Sequence, residues 1–205
     1  MDTGISLPQK WRLLGAITAI LVSAALLILA ADPGLDGIRR VIRVTARTSV
    51  CLFLLVFVAT VLWKRFPNRA TSWTRQNRRY LGLGFAVSHG IHALAIIAYA
   101  RLYPDQFAAH VGNANLIPNY VAYLFILLLA LTSFDRAAAM IGPRAWKILH
   151  TAGIYYLWAS FAVGFGKRIP VSGVYVLPLI MAICALAFRL WPVRQSNSAP
   201  AELGT

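Results

Sequence analysis

The feature that most constrains this chain is a repeat of apolar runs, each about 20 residues long and fenced by basic or aromatic residues. The first runs from Trp11 to Ala31 and carries no charge after Arg12. Others follow from about Val44 to Leu62, Tyr80 to Ala100, Leu116 to Phe134, Pro143 to Phe165 and Val171 to Trp191. At 1.5 Å per residue such a run makes a helix of roughly 30 Å, the thickness of a bilayer's hydrocarbon core. Hydrophobic residues make up 59% of the 205 and charged residues 13%. One water-soluble globule of this size cannot hide that much apolar surface. The expected fold is all-α, a polytopic integral membrane six-helix bundle over residues 11–192. A cytoplasmic segment (1–10) precedes it and a disordered polar tail (193–205) follows.

Several local signals refine this layout. A signal peptide competes for the first run, because Ala30-Ala31 stand before Asp32-Pro33; the run is long for a signal's core, which favours a retained anchor. Asp32-Pro33-Gly34 is turn chemistry. Arg39, Arg43 and Arg47 at four-residue spacing predict a short interfacial helix ahead of the second span, or else a solvated charge run. Residues 101–115 read as a polar loop with an exposed His110. Cys51 and Cys184 each fall inside an apolar run and read as buried structural thiols.

The formal net charge is +14, yet the basic residues lie almost entirely between the apolar runs. That arrangement points to membrane lipid as the partner of the charge and leaves no basic foldable module for nucleic acid. Six spans put both termini on one side. That side collects Lys10, Arg12, the cluster from Lys64 to Arg79, Arg136, Arg144, Lys147 and Arg194. The positive-inside bias therefore expects both termini in the cytoplasm of a multi-pass protein, although the arginines at 39–47 argue the other way.

No nucleophile elbow, phosphate-cradling glycine loop or HExxH is present, and none of the six acidic residues lies well inside a span. A proton-coupled transporter usually places a carboxylate at membrane depth, so that class is weakened. What remains at depth is imidazole: His89 and His92 on the third span, and His150 on the fifth. An imidazole there can ligate haem iron or another metal, carry protons, or bond a neighbouring helix. Tyr155, Tyr156 and Trp158 after His150 read as packing aromatics.

The stretch Arg78–His92, RRYLGLGFAVSHGIH, resembles the arginine-arginine-x-leucine-glycine-leucine signature of the ferric reductase-like transmembrane family, with a ligand histidine ten residues after Gly82, at His92. A second match runs from Leu131 to Tyr156, where Thr132, Ser133, Gly142, Trp146, Lys147, Leu149 and His150 fill the family's pattern. The resemblance covers spans two to six. It is closest to the small bacterial branch that forms the haem-bearing inner-membrane subunit of a periplasmic methionine sulfoxide reductase system.

The resemblance implies heme b on His92 and His150, with His89 as a substitute ligand or else a packing or propionate-side contact. Arg78 and Arg79 would pair with haem propionates or the phosphate of a flavin such as FMN, or simply anchor the interface. It also implies a separate redox partner: a flavoprotein or quinol as donor, and a reductase subunit or ferric iron as acceptor. The chain departs from fuller members, which carry paired histidines 13 to 14 residues apart on both helices; the corresponding positions here are Arg78 and Val163. Depth also separates the two retained histidines, since His92 lies about 18–20 Å past Arg79 whereas His150 is one turn past Trp146. Three outcomes stay open: one haem between His92 and His150, one haem on a single histidine, or a haem-free scaffold.

Overall fold

The computed structural model describes residues 8–111 and 116–191 and is all-α. Eight helices follow in order: α1 (Lys10–Ala31), α2 (Leu35–Arg65), α3 (Arg69–Gln76), α4 (Arg78–Leu102), α5 (Pro104–Val111), α6 (Ile117–Leu131), α7 (Asp135–Gly166) and α8 (Val176–Leu190). A single 3₁₀ turn, Gly173–Tyr175, leads into α8. Five of the apolar helical stretches are long enough to cross a membrane: α1, α2, α4, α7, and the turn joined to α8. This is the layout of a multi-pass membrane protein. The expected fourth run forms α6, an apolar helix whose 15 residues reach about 22 Å. The expected end of the last span at Pro192, the polar tail 193–205 and most of segment 1–10 lie outside the described residues.

Many large apolar side chains point outward, among them Ile20, Leu27, Leu94, Leu124, Leu127 and Ile183. A soluble protein would bury such residues, whereas a hydrocarbon surround accepts them. Cys51 and Cys184 belong to the same outward class: both are free and exposed, not buried as expected. A lipid-facing apolar position suits a thiol as well as a core does.

The interior is built on the α2–α4 pair. Phe53, Phe57, Phe85, Ile126, Leu157, Ala182 and Ala185 form its apolar core, drawn from α2, α4, α6, α7 and α8. α1 packs on α4 and α2, with Trp11 edge-on to Tyr80 at 5.3 Å and the Lys10 amide donating to Asn77 Oδ1 at 2.8 Å. α6 runs antiparallel to α7, Thr132 reaching His150 and the Phe125 ring lying tilted against Tyr156 at 5.1 Å. Arg65 of α2 donates to the carbonyl of Trp191 at the end of α8. The start of α1 and the end of α8 therefore share one end of the bundle.

Four local expectations change. The basic stripe at 39–47 does not form a separate interfacial helix; it opens α2, one uninterrupted helix of 31 residues. The 64–79 connector contains α3, nucleated by a capping box in which Asn68 accepts from the Thr71 amide and Thr71 from the Asn68 amide. The 101–115 loop contains α5, started by Pro104 with Asp105 in its first turn; His110 is exposed as expected. α7 begins eight residues before Pro143 but is broken there, because Gly142 adopts φ 76°, ψ 163°. Only glycine takes that conformation without strain, and the proline after it cannot continue the preceding hydrogen bonds.

The α1–α2 turn is tighter still. A Cβ added to Gly37 would lie 1.8 Å from the Asp32 carbonyl oxygen, which is backbone and cannot rotate away. Gly37→Ala is expected to lower stability by about 1–3 kcal/mol, read as a lower melting temperature in detergent. Gly15→Ala, which meets nothing within 4 Å, is expected to leave it unchanged or slightly raised.

Candidate functional site

The site grows from a ladder of small polar residues between α2 and α4. Thr45 and Ser49 stand one turn apart on α2, and Ser88 and His92 one turn apart on α4. Ser49 donates to Ser88 Oγ at 2.9 Å, and Ser88 donates to the Thr45 carbonyl at 3.2 Å. Thr45, Ser49 and Ser88 are fully buried. Where water is absent such bonds fix helix register, since an unmade one leaves a polar group in an apolar medium.

His92 closes the ladder. Its Nδ1 lies 3.0 Å from the Ile42 carbonyl and 3.1 Å from Thr45 Oγ1. A carbonyl only accepts, and the Thr45 hydroxyl already donates to Val41 O at 2.6 Å. Nδ1 therefore carries the proton, and Nε2 is an unprotonated lone pair with no partner among the described residues. A metal-bound histidine needs this state: one nitrogen oriented by a hydrogen bond, the other free to donate.

His89, one turn earlier, has its ring 5.1 Å from that of His92. Around it stand Phe85 at 5.5 Å, Tyr123 of α6 at 5.2 Å and Phe161 of α7 at 5.9 Å. Its Nδ1 is buried without a hydrogen-bond partner. α4 and α7 meet at this level through these long side chains.

His150 is built differently. Thr132 donates its hydroxyl to Leu128 O at 2.6 Å, so it accepts from His150 Nε2 at 3.0 Å. Trp146 stacks on the imidazole at 4.1 Å and donates its indole N–H to the Thr132 carbonyl. The nitrogen that is free in His92 is engaged in His150, and the ring pins the end of α6 to α7.

The two histidines also stand at different levels. Arg79 at the start of α4 pairs with Asp135 at 2.9 Å and His89 further along meets Phe161, so α4 and the part of α7 after the Gly142 break run in the same direction. Phe161 is 11 residues beyond His150, or about 16 Å along the helix, and His92 is a turn further still. A single iron cannot take both rings across an offset of about 20 Å. Arg78 stands level with His150 and contacts Thr60 Oγ1 at 3.3 Å, with no carboxylate partner among the described residues. Arg79 is committed to Asp135. Tyr156 bonds the Pro118 carbonyl and Trp158 the Ala182 carbonyl, so these aromatics pack helices together.

Fit to haem is therefore uneven. His92 has the fixed ring and free nitrogen of an axial ligand, with the unpartnered His89 beside it; His150 would first have to release Thr132. Among the described residues no three of His, Cys, Asp or Glu gather as a metal cluster would require. Sequence reasoning did not find the Ile42 carbonyl, Thr45, Ser49, Tyr123 or Phe161. The four-residue spacing of Thr45 with Ser49, matching that of Ser88 with His92, was the available signal.

No family model, curated protein or solved structure matches this chain. The resemblance to the ferric reductase-like family rests on the two motifs alone.

The Thr132 cluster yields a prediction. Thr132→Val removes the acceptor of His150 and is expected to cost about 1 kcal/mol, seen as a lower melting temperature in detergent. Thr132→Ser is expected to retain wild-type stability within about 0.5 kcal/mol.

Proposed function

We propose that the protein is a six-span membrane electron carrier that binds b-type haem through His92. The haem would take electrons from a separate flavoprotein or quinol at the end holding both termini and release them beyond the opposite end. The observation that carries this reading is the His92 ring, held at Nδ1 by the Ile42 carbonyl and Thr45 with Nε2 left as a free donor. The arginine-arginine-x-leucine-glycine-leucine motif ten residues before it supports the same reading. Bound haem would supply one-electron chemistry, its potential set by axial ligand and burial.

The chain's own residues would orient and enclose. Thr45 and Ile42 hold the ring; Phe85, Tyr123 and Phe161 keep its surroundings apolar; α6, though short, completes the enclosure as the sixth crossing. Arg78, the arginine of the pair without a carboxylate, is the residue left to meet an anionic group such as a flavin phosphate. By the positive-inside bias the end holding Lys64–Arg79 is cytoplasmic, and the acceptor is then a periplasmic reductase subunit or ferric iron at a bacterial inner membrane.

A haem-free scaffold is the second reading, favoured by one observation: His92 and His150 both bond a threonine of a neighbouring helix. A dithionite-reduced minus oxidised spectrum, with haem quantified per chain, separates the two. The expected result is a b-type spectrum in wild type that His92→Ala abolishes and His150→Ala retains. Thr45→Val should leave haem bound but alter its spectrum or potential. Purified wild-type protein without haem, even after reconstitution, would overturn the electron-carrier reading.

A further inference from the structure

The first half of α2 carries four arginines that divide sharply by partner. Arg39 pairs with Asp36 at 3.9 Å and donates to Tyr99 Oη at 2.9 Å, while Arg40 pairs with Asp32 at 3.3 Å. Those bonds use both acidic residues at that end of α2. Arg43 and Arg47 are exposed and have no ion pair or hydrogen bond among the described residues.

Their depth makes this unusual. They lie 8 and 12 residues into α2, about 12 and 18 Å from its start. The α2–α4 ladder sets their level, since the carbonyls of Ile42 and Thr45 meet His92 and Ser88. His92 is itself about 15 Å short of the end of α4. Both arginines thus start below the rim formed by Arg39, Arg40 and Arg101.

Their face is also defined. Arg43, Arg47, Val50 and Leu54 follow the i, i+4, i+7, i+11 spacing of one helical stripe. Val50 and Leu54 belong to the buried core with Ala182 and Ala185 of α8. α2 and α8 end together, with Arg65 on the Trp191 carbonyl, so the start of α8 at Val176 falls about level with Val50 and the same stripe continues exposed at Arg47 and Arg43. A guanidinium at this depth is costly unless it reaches an anion or the headgroup layer. A soluble protein cannot follow it below the rim, but a lipid arriving from the side can. Two adjacent guanidinium groups with no local carboxylate match a phosphate whose headgroup brings no ammonium of its own.

We propose that Arg43 and Arg47 bind the phosphate of an anionic phospholipid on the stripe of α2 above the start of α8. The site is independent of haem and is read without it. The full chain is purified in neutral detergent and stripped of lipid. It is then titrated with phosphatidylglycerol, phosphatidylcholine or inorganic phosphate, with bound lipid followed by native mass spectrometry and stability by melting temperature. Wild type is expected to hold phosphatidylglycerol in preference to phosphatidylcholine and to melt several degrees higher with it. R43Q/R47Q is expected to bind phosphatidylglycerol about tenfold more weakly or worse and to lose the melting shift, while R101Q keeps both. R47Q alone, should the double variant not fold, is expected to weaken binding in the same direction. Wild-type binding in R43Q/R47Q or R47Q overturns the proposal. So does an equal loss in R101Q, which marks diffuse charge attraction, or full stabilisation by inorganic phosphate, which marks a soluble-anion site.

Discussion

The α2–α4 seam is the constraint on which the rest of the structure depends. In a water-soluble helical protein the bond from Ser49 to Ser88 would compete with solvent and contribute little. Inside an apolar surround a hydroxyl that loses its cross-helix partner can fall back only on a carbonyl of its own helix, as Thr45 does on Val41, so the bonds between Ser49, Ser88 and the Thr45 carbonyl favour this one register. The chosen register puts His92 against Ile42 and Thr45. It also fixes how deep Arg43 and Arg47 lie, because they share a helix with Thr45.

That register also decides what the two ends of the bundle can do. α4 and α7 are joined at the Arg79–Asp135 pair and meet again where His89 touches Phe161. Counted back from that contact, His150 falls level with Arg78, and His92 falls near the far end of α7. α7 offers one imidazole, His150, and α4 offers His89 and His92 at the other level, so no histidine of one helix faces a histidine of the other. The break at Gly142 makes this possible: the helix carrying His150 starts afresh at Pro143, so the turns before the break do not count towards its level.

Much of the fold was legible because apolar length and basic punctuation are strong local signals. The spans starting near Tyr80 and Pro143 appear where the sequence places them. What could not be read was the continuity of α2 through Arg39–Arg47: charge suggested a surface helix, whereas Arg39 reaches Tyr99 of α4 and Arg40 reaches Asp32 at the end of α1, contacts that exist only once the helices pack. Cys51 and Cys184 escaped for a related reason, since an apolar run does not tell a lipid-facing position from a core one. Of the site, the histidines and their difference in depth were visible, but their hydrogen-bond partners were not. Thr45 and Ile42 are far from His92 in sequence and become its neighbours only through helix packing.

A histidine in an apolar medium is largely committed by the first hydrogen bond it makes, and the three here have made different commitments. His150 gives Nε2 to Thr132 and stacks under Trp146; helix cross-linking accounts for it in full. His92 gives Nδ1 to α2 and keeps Nε2, an arrangement equally useful to a cross-link and to a metal ligand. His89 makes no bond at Nδ1 although that atom is buried, and a purely structural role gains nothing from a polar ring held so among Phe85, Tyr123 and Phe161. A scaffold thus explains two of the three rings and leaves the third as an uncompensated cost. A group bound at the His89–His92 level would give that ring a reason to be there, which is why the ligand-binding reading carries more of the structure than the scaffold does.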